Sequence, residues 1–335
     1  FFFFFLRTGG SSPASTEPVF SSFLIKYKRS FEVSQSRFSG VLAPVITPFN
    51  EDLSPDSSRF IKHCRWIVSQ GANLAVFGTN SEANSLSISE KISLLDDLIE
   101  GGIETHSLMP GTGCCALSDT IELSRKAVEL GCAGVLMLPP FYYKDISDQG
   151  LFNYYAEVIE AVNSEDLKIY LYHIPPISQI PLTLELIEKL AYSYPKNIAG
   201  IKDSSGDWNQ TQAFNELSIE NFRVFCGSES FLLQNMKAGG AGCISATANV
   251  NPAAISSLCS AWQGEDAEQK QAGLDQIRNI FQSYPMIPAL KAATAICTKD
   301  SQWLRVRPPL AKLNNTQLSE LTAALSSVQF QMPDI

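Results

Sequence analysis

From Gly40 to Trp262 the chain repeats one pattern eight times: a short, continuous apolar run, then a stretch whose apolar residues recur with helical period. The runs are GVLAPVITPF (40–49), NLAVFGTN (73–80), SLMPGTG (107–113), AGVLMLPP (133–140), LKIYLYHIPP (167–176), NIAGIKDSS (197–205), FRVFCGSES (222–230) and AGCISATANV (241–250). Runs that do not alternate with polar residues belong to strands covered on both faces, which calls for a parallel sheet wrapped in helices. Eight strand–helix units over about 220 residues fit a (β/α)8 TIM barrel in count and length. An open doubly wound sheet competes, but no GxGxxG follows the first run. Ser89 and Ser118 are read as helix caps, and Gly101, Gly131 and Gly239 as helix ends.

Beyond Trp262 three helix-period stretches follow: EDAEQKQAGLDQIRNIFQSY, PALKAATAICTKD and NTQLSELTAALSSV. The expected organisation is therefore a leader over 1–38, a barrel over 39–262 and a C-terminal helical bundle over 263–335. The leader is rich in Ser and Phe, carries more Lys and Arg than Asp and Glu, and does not begin with Met. Its composition is read either as part of an organelle transit peptide or as a mis-called translation start. The location expected is cytoplasmic, or an organelle matrix under the first reading.

The charge of −9 disfavours a nucleic-acid partner, and no apolar run is long enough for a membrane span. The eight cysteines have no CxxC spacing, and several sit in apolar runs, as small buried hydrophobes do. His63, His106 and His173 form no zinc-type pair, so no metal site is expected.

In a barrel of this kind the strand C-termini face the active site. The second run ends in Gly78-Thr79-Asn80-Ser81-Glu82, the fourth in Pro140-Phe141-Tyr142-Tyr143 and the fifth in Tyr172-His173. The sixth ends on Lys202, the seventh on Gly227-Ser228-Glu229 and the eighth on Ser245. Each has a plain role alone: Lys202 with Asp203 as a surface ion pair, Tyr172 as a core aromatic, Thr79 and Ser81 as turn residues. Together at one mouth they suggest chemistry. A lysine among apolar side chains is disfavoured in its charged form, and a neutral amine forms a Schiff base with a ketone. A tyrosine in reach carries protons, and Thr79 and Asn80 supply donors for a carboxylate.

These residues resemble the dihydrodipicolinate synthase / N-acetylneuraminate lyase family of Schiff-base class I aldolases, over about residues 38–330. GTNSE is similar to the family's G-[ST]-x-G-E carboxylate-binding loop. YHIPP resembles its Y-x-x-P segment, and GIKDSSGD its G-[IV]-K-[DE]-[STA]-x-G motif. The resemblance implies Lys202 as the Schiff-base lysine, Tyr172 as the proton-relay tyrosine and Thr79 in the relay. It implies that Tyr142, in PPFYY, reaches a neighbouring subunit of a homotetramer or homodimer. Substrate would be bound by Thr79, Asn80, Ser228, Glu229 and the backbone around Ile244 in GCISATANV. Glu229 would bond to hydroxyls at the distal end, or else act as an N-terminal helix charge. No cofactor is implied beyond the covalent imine to Lys202, and the small-molecule partners are a 2-oxo acid and an aldehyde.

Three departures bear on the substrate. Ser81 stands where most members have Gly, which points to a differently shaped loop. Asn80 resembles the Gly-Ser-Asn-Gly-Glu of 4-hydroxy-2-oxoglutarate aldolases. Ile177 occupies the position where lysine-pathway synthases carry an Arg for the aldehyde partner's carboxylate. Such a pair contributes about 1.5–3 kcal/mol, roughly one to two orders of magnitude in binding. The favoured expectation is aldol cleavage of a 2-oxo acid to pyruvate and an aldehyde. The alternatives are 4-hydroxy-tetrahydrodipicolinate synthesis, sugar-acid dehydration, and a barrel that binds a 2-oxo acid without turning it over.

Overall fold

A computed structural model of the chain describes residues 37–335. The leader expected over 1–38 lies outside the described residues except for its last two. Those two already belong to the fold. Arg37 donates to the carbonyls of Asn221 (2.8 Å) and Pro195 (3.0 Å). Phe38 is buried and donates its N–H to Tyr170 Oη at 2.7 Å. Arg37–Ile335 forms one compact unit, so the C-terminal helices are continuous with the barrel.

Seven parallel strands make one sheet: β1 (Gly40–Ala43), β2 (Asn73–Leu74), β3 (Val135–Met137), β4 (Ile169–His173), β5 (Ile198–Asp203), β6 (Arg223–Cys226) and β7 (Gly242–Ile244). Their order is β2-β1-β7-β6-β5-β4-β3, with β1 paired to both β2 and β7. The opening between β2 and β3 is filled by the third apolar run. It forms single bridges, Leu108 to Leu74 and Gly111 to Leu136, in place of a ladder. Pro110 explains the weaker pairing, since it has no N–H to give, although its carbonyl accepts from Leu136 N. Met109 N donates to Leu74 O (2.8 Å) and Thr112 N to Leu136 O (3.0 Å), which closes the barrel. The fold is the expected (β/α)8 barrel with C-terminal helices Ala267–Gln282, Met286–Thr298 and Asn315–Ser327.

Two helix starts differ from expectation. The helix Ile88–Glu100 is capped by Ser87, whose Oγ accepts from Glu90 N while the Glu90 carboxylate accepts from Ser87 N. This reciprocal box outcompetes Ser89 because Glu lies three residues after Ser87 and not after Ser89. The helix Leu117–Glu129 starts after Ala116 with no side-chain cap, leaving Ser118 inside it.

Apolar side chains divide into two sets. Leu42, Ala75, Met109, Leu136, Tyr170 and Phe225 belong to the barrel interior. Val41, Ala43, Val135, Met137, Ile169 and Leu171 alternate with them and pack outward against helices. Phe38 meets Tyr170 edge to face, and Tyr170 meets Phe225 likewise, so a line of aromatic rings runs through the interior. Among the described residues no helix is long and apolar enough to cross a membrane. The cysteines are free and mostly buried, with Cys115 exposed and Cys114 and Cys297 half-buried.

His63 is fully buried between Trp66 and Trp303, and neither ring nitrogen has a hydrogen-bond partner among the described residues. Burial pushes its pKa down to about 3. The unfolded chain takes up a proton below about pH 6.5 that the folded chain refuses until about pH 3, so stability falls as pH drops across that window. Thermal midpoints between pH 7 and pH 4 are expected to fall less steeply in His63→Phe than in the parent. Parallel slopes would count against this assignment.

Candidate active site

Strand β5 does not keep a strict two-residue alternation. Ile169 pairs with Ile198 but Tyr170 pairs with Gly200, so one extra residue sits in β5 at Ala199. Before this bulge Ile198 faces outward and Ala199 inward; after it Ile201 faces outward. Lys202 is thereby placed inward, in register with Tyr172 on one side and Phe225 on the other. Without the extra residue, period two would put Lys202 on the outer face with Ile198. Gly200 permits the close approach: a Cβ there would lie 2.1 Å from the Arg223 carbonyl oxygen.

Lys202 is 2% exposed, and its Nζ sits 4.1 Å from the centroid of the Tyr172 ring. Among the described residues it has no ion pair or hydrogen bond. The surface-pair reading with Asp203 fails because consecutive strand residues face opposite ways. Asp203 is itself buried on the outer side, accepting from Thr211 Oγ1 and Ser205 Oγ.

Tyr172 Oη lies 3.1 Å from Thr79 Oγ1, which links the end of β4 to the loop after β2. Both line a crevice with Gly78, Ala83, Gly111 and Leu138. The Thr79 loop is a single 3-10 turn, Thr79–Ser81. Ser81, in place of the glycine of the similar motif, is buried and needs no special backbone angle. Its Oγ accepts from Gly78 N (3.1 Å), and its carbonyl accepts from Thr47 Oγ1 (2.7 Å). The substitution therefore pins the loop from inside.

The other expected residues fall less uniformly. Asn80 is half-buried with its amide uncommitted among the described residues. Ile244 ends the buried strand β7, paired to Leu42 of β1. Ser228 Oγ accepts from Ser230 N and caps the turn that follows. Glu229 is a correction: it is buried, and its carboxylate is taken by Ser245 Oγ, Thr247 Oγ1 and Arg278 Nη1 (3.2 Å). Donors of its own chain occupy the oxygens assigned to substrate hydroxyls. Tyr142 is 75% exposed, and its ring meets that of Tyr143 edge to face at 5.4 Å. Ile177 is 63% exposed.

Sequence reasoning placed Ser245 at its strand end without giving it a role, and missed Thr247, Arg278 and the buried pair Lys291–Glu82. The one available signal was Glu82 itself, an acid inside a turn otherwise made of small polar residues.

A model of the dihydrodipicolinate synthetase family matches residues 37–328. The chain belongs to this family. An uncharacterized DapA-like lyase of Chloroflexus aurantiacus is 33% identical over 292 residues, covering 86% of this chain and 96% of its own. A 4-hydroxy-tetrahydrodipicolinate synthase of Methanococcoides burtonii is 30% identical over 301 residues, 87% of this chain and 100% of its own. Among solved structures, a pyruvate-bound prophage protein of the dihydrodipicolinic acid synthase family from E. coli K12 superposes with a TM-score of 0.80. It is 27% identical and covers 88% of this chain and 99% of its own. The chain is a lyase of the dihydrodipicolinate synthetase family.

Proposed function

We propose that Lys202 forms an imine with the keto group of a 2-oxo acid and that the bound acid is cleaved to pyruvate and an aldehyde. The observation that carries this reading is a buried amine with no partner among the described residues, above a tyrosine whose hydroxyl is within 3.1 Å of Thr79. The Lys202 amine adds to C2, and loss of water from the carbinolamine gives the imine. The protonated imine draws the electrons of the C3–C4 bond as the 4-hydroxyl gives up its proton, releasing the aldehyde and leaving an enamine. Protonation at C3 and addition of water then return pyruvate and the free amine. Tyr172 is the group that takes and returns protons, with Thr79 next in line. Asn80, Thr79 and the backbone at Ile244 hold the carboxylate. Tyr142 of a second copy completes the relay in a homotetramer or homodimer.

Cleavage is favoured over condensation with a semialdehyde by Ile177, an exposed apolar side chain where a second carboxylate would need a cation. Asn80, as in the hydroxy-oxoglutarate aldolase loop, supports the same choice. The reading is tested by incubation with pyruvate and borohydride followed by peptide mass spectrometry, then by turnover against a panel of 2-oxo acids. A reduced adduct on the Lys202 peptide and pyruvate release from a 4-hydroxy-2-oxo acid are expected. An adduct without any turnover would instead indicate a binding-only barrel.

Removing the relay hydroxyl gives a separate expectation. Tyr172→Phe should lower turnover by about 10²–10⁴-fold, since it deletes a positioned proton donor and acceptor, while pyruvate still binds. Steady-state kinetics with unchanged turnover would assign the relay elsewhere.

A further inference from the structure

Two residues that are not glycine adopt left-handed backbone on either side of the Thr79 turn: Phe77 at φ 61° and Glu82 at φ 56°. Such residues persist only where their surroundings hold them. Phe77 is held by the core, stacked on Phe60 at 6.4 Å. Glu82 is held differently. Its Oε1 accepts from Lys291 Nζ, and its Oε2 accepts from Arg307 N–H at 2.9 Å. Both side chains of the Lys291–Glu82 pair are fully buried. Lys291 also donates to the Arg305 carbonyl at 2.6 Å.

We propose that Lys291, through Glu82, is a positioning residue that sets the Thr79–Asn80 turn for the 2-oxo acid's carboxylate. The proposal rests on the aldolase reading above for the identity of that ligand. One carboxylate here fastens the turn to two C-terminal segments, the helix Met286–Thr298 and the strap at 305–307. A buried ion pair is weak evidence for stability, because apolar residues of like volume would pack as well. What the pair supplies is direction. It fixes where Glu82 leaves the turn, and so holds Thr79 Oγ1 beside Tyr172 Oη.

Among the described residues Lys291 is the one side-chain cation that pairs directly with Glu82. Arg307 is the other cation close by, and its guanidinium is committed to Glu90 (2.9 Å) and to the carbonyls of Leu53 and Ser85. The Phe49 ring underlies both cations, 4.4 Å from Lys291 Nζ and 4.8 Å from Arg307 Cζ. Burial pulls the Lys291 ammonium down to about 8, against the opposing pull of Glu82 and with the help of Arg307. Burial thus works against the charged form of Lys291 that the clamp uses, and Glu82 works for it.

The test uses the full chain in three forms: parent, Lys291→Met, and Glu82→Gln with Lys291→Met. The double variant removes both charges, so no buried acid is left unpaired. Hydrogen exchange of the amides at 81–83 is read at pH 7, together with borohydride trapping of pyruvate on Lys202. In the folded double variant those amides are expected to exchange at least about tenfold faster. The pyruvate concentration for half-maximal trapping should rise by about tenfold or more, while the rate at saturation stays within about threefold. Unchanged exchange and unchanged half-saturation in that variant would overturn the proposal. If neither variant folds, the parent decides it. Protection of the amides at 81–83 should exceed that of the exposed amides at 142–143, and protection no greater than theirs rejects the clamp. A parent that traps no pyruvate sinks the aldolase reading instead, and leaves the exchange data to judge the clamp.

Discussion

A Lys202→Met protein is expected to carry no pyruvate-derived mass after borohydride treatment and to lose at least about 10³-fold in turnover. Methionine keeps most of the side-chain volume, so the barrel interior stays filled. Because Lys202 has no partner among the described residues, its loss leaves no orphaned acid behind. The thermal midpoint should therefore hold or rise, since a buried polar end has been removed. The combination separates a chemical role from a structural one. A variant that still turns over at near-parent rate would move the imine to another amine, and one that unfolds would give Lys202 a structural role instead.

The second large effect is expected at Gly200. Alanine there puts a Cβ 2.1 Å from a backbone oxygen of the neighbouring strand, which no side-chain rotation can relieve. Strands β5 and β6 must part, or the bulge must go. Overpacking of this kind costs about 1–3 kcal/mol, and here the obstacle is main chain. Gly200→Ala should lower the thermal midpoint and slow imine trapping by about a hundredfold or more, because the bulge is what turns Lys202 inward. Gly273→Ala is the matched control. Gly273 lies in the helix Ala267–Gln282 with open space around it, and alanine there should stabilise by up to about 1 kcal/mol. Trapping at parent rate by a Gly200→Ala protein would show that the bulge is dispensable.

These two positions also mark what the sequence made legible. The apolar runs announce the strands, and polar residues interrupting their C-terminal ends announce Lys202, Tyr172 and Thr79. Each of those signals is local. The bulge is not, because whether Ala199 is an extra residue depends on the register of β4 and β6, which no single run encodes. The third strand was legible as an apolar run, but Pro110 reduced it to bridges. Glu229 was placed correctly at a strand end and misjudged in direction. Its partners Thr247 and Arg278 lie 18 and 49 residues further on, and nothing in GSES indicates them. Lys291 is 209 residues from Glu82 and sits in a helix that reads as ordinary apolar core.

The aromatic plug formed by Phe38, Tyr170 and Phe225 has a kinetic consequence. It runs from Phe38, just ahead of β1, up to Phe225 in register with Lys202, so on the aldolase reading substrate reaches the lysine from the strand C-termini. On the aldolase reading, the half of the substrate bound to Lys202 is the inner half, and the aldehyde half lies toward the opening. In cleavage the aldehyde departs first and pyruvate last; in the reverse direction pyruvate enters first. The enamine left on Lys202 already imposes that order, and a site entered from the strand C-termini is shaped to match it.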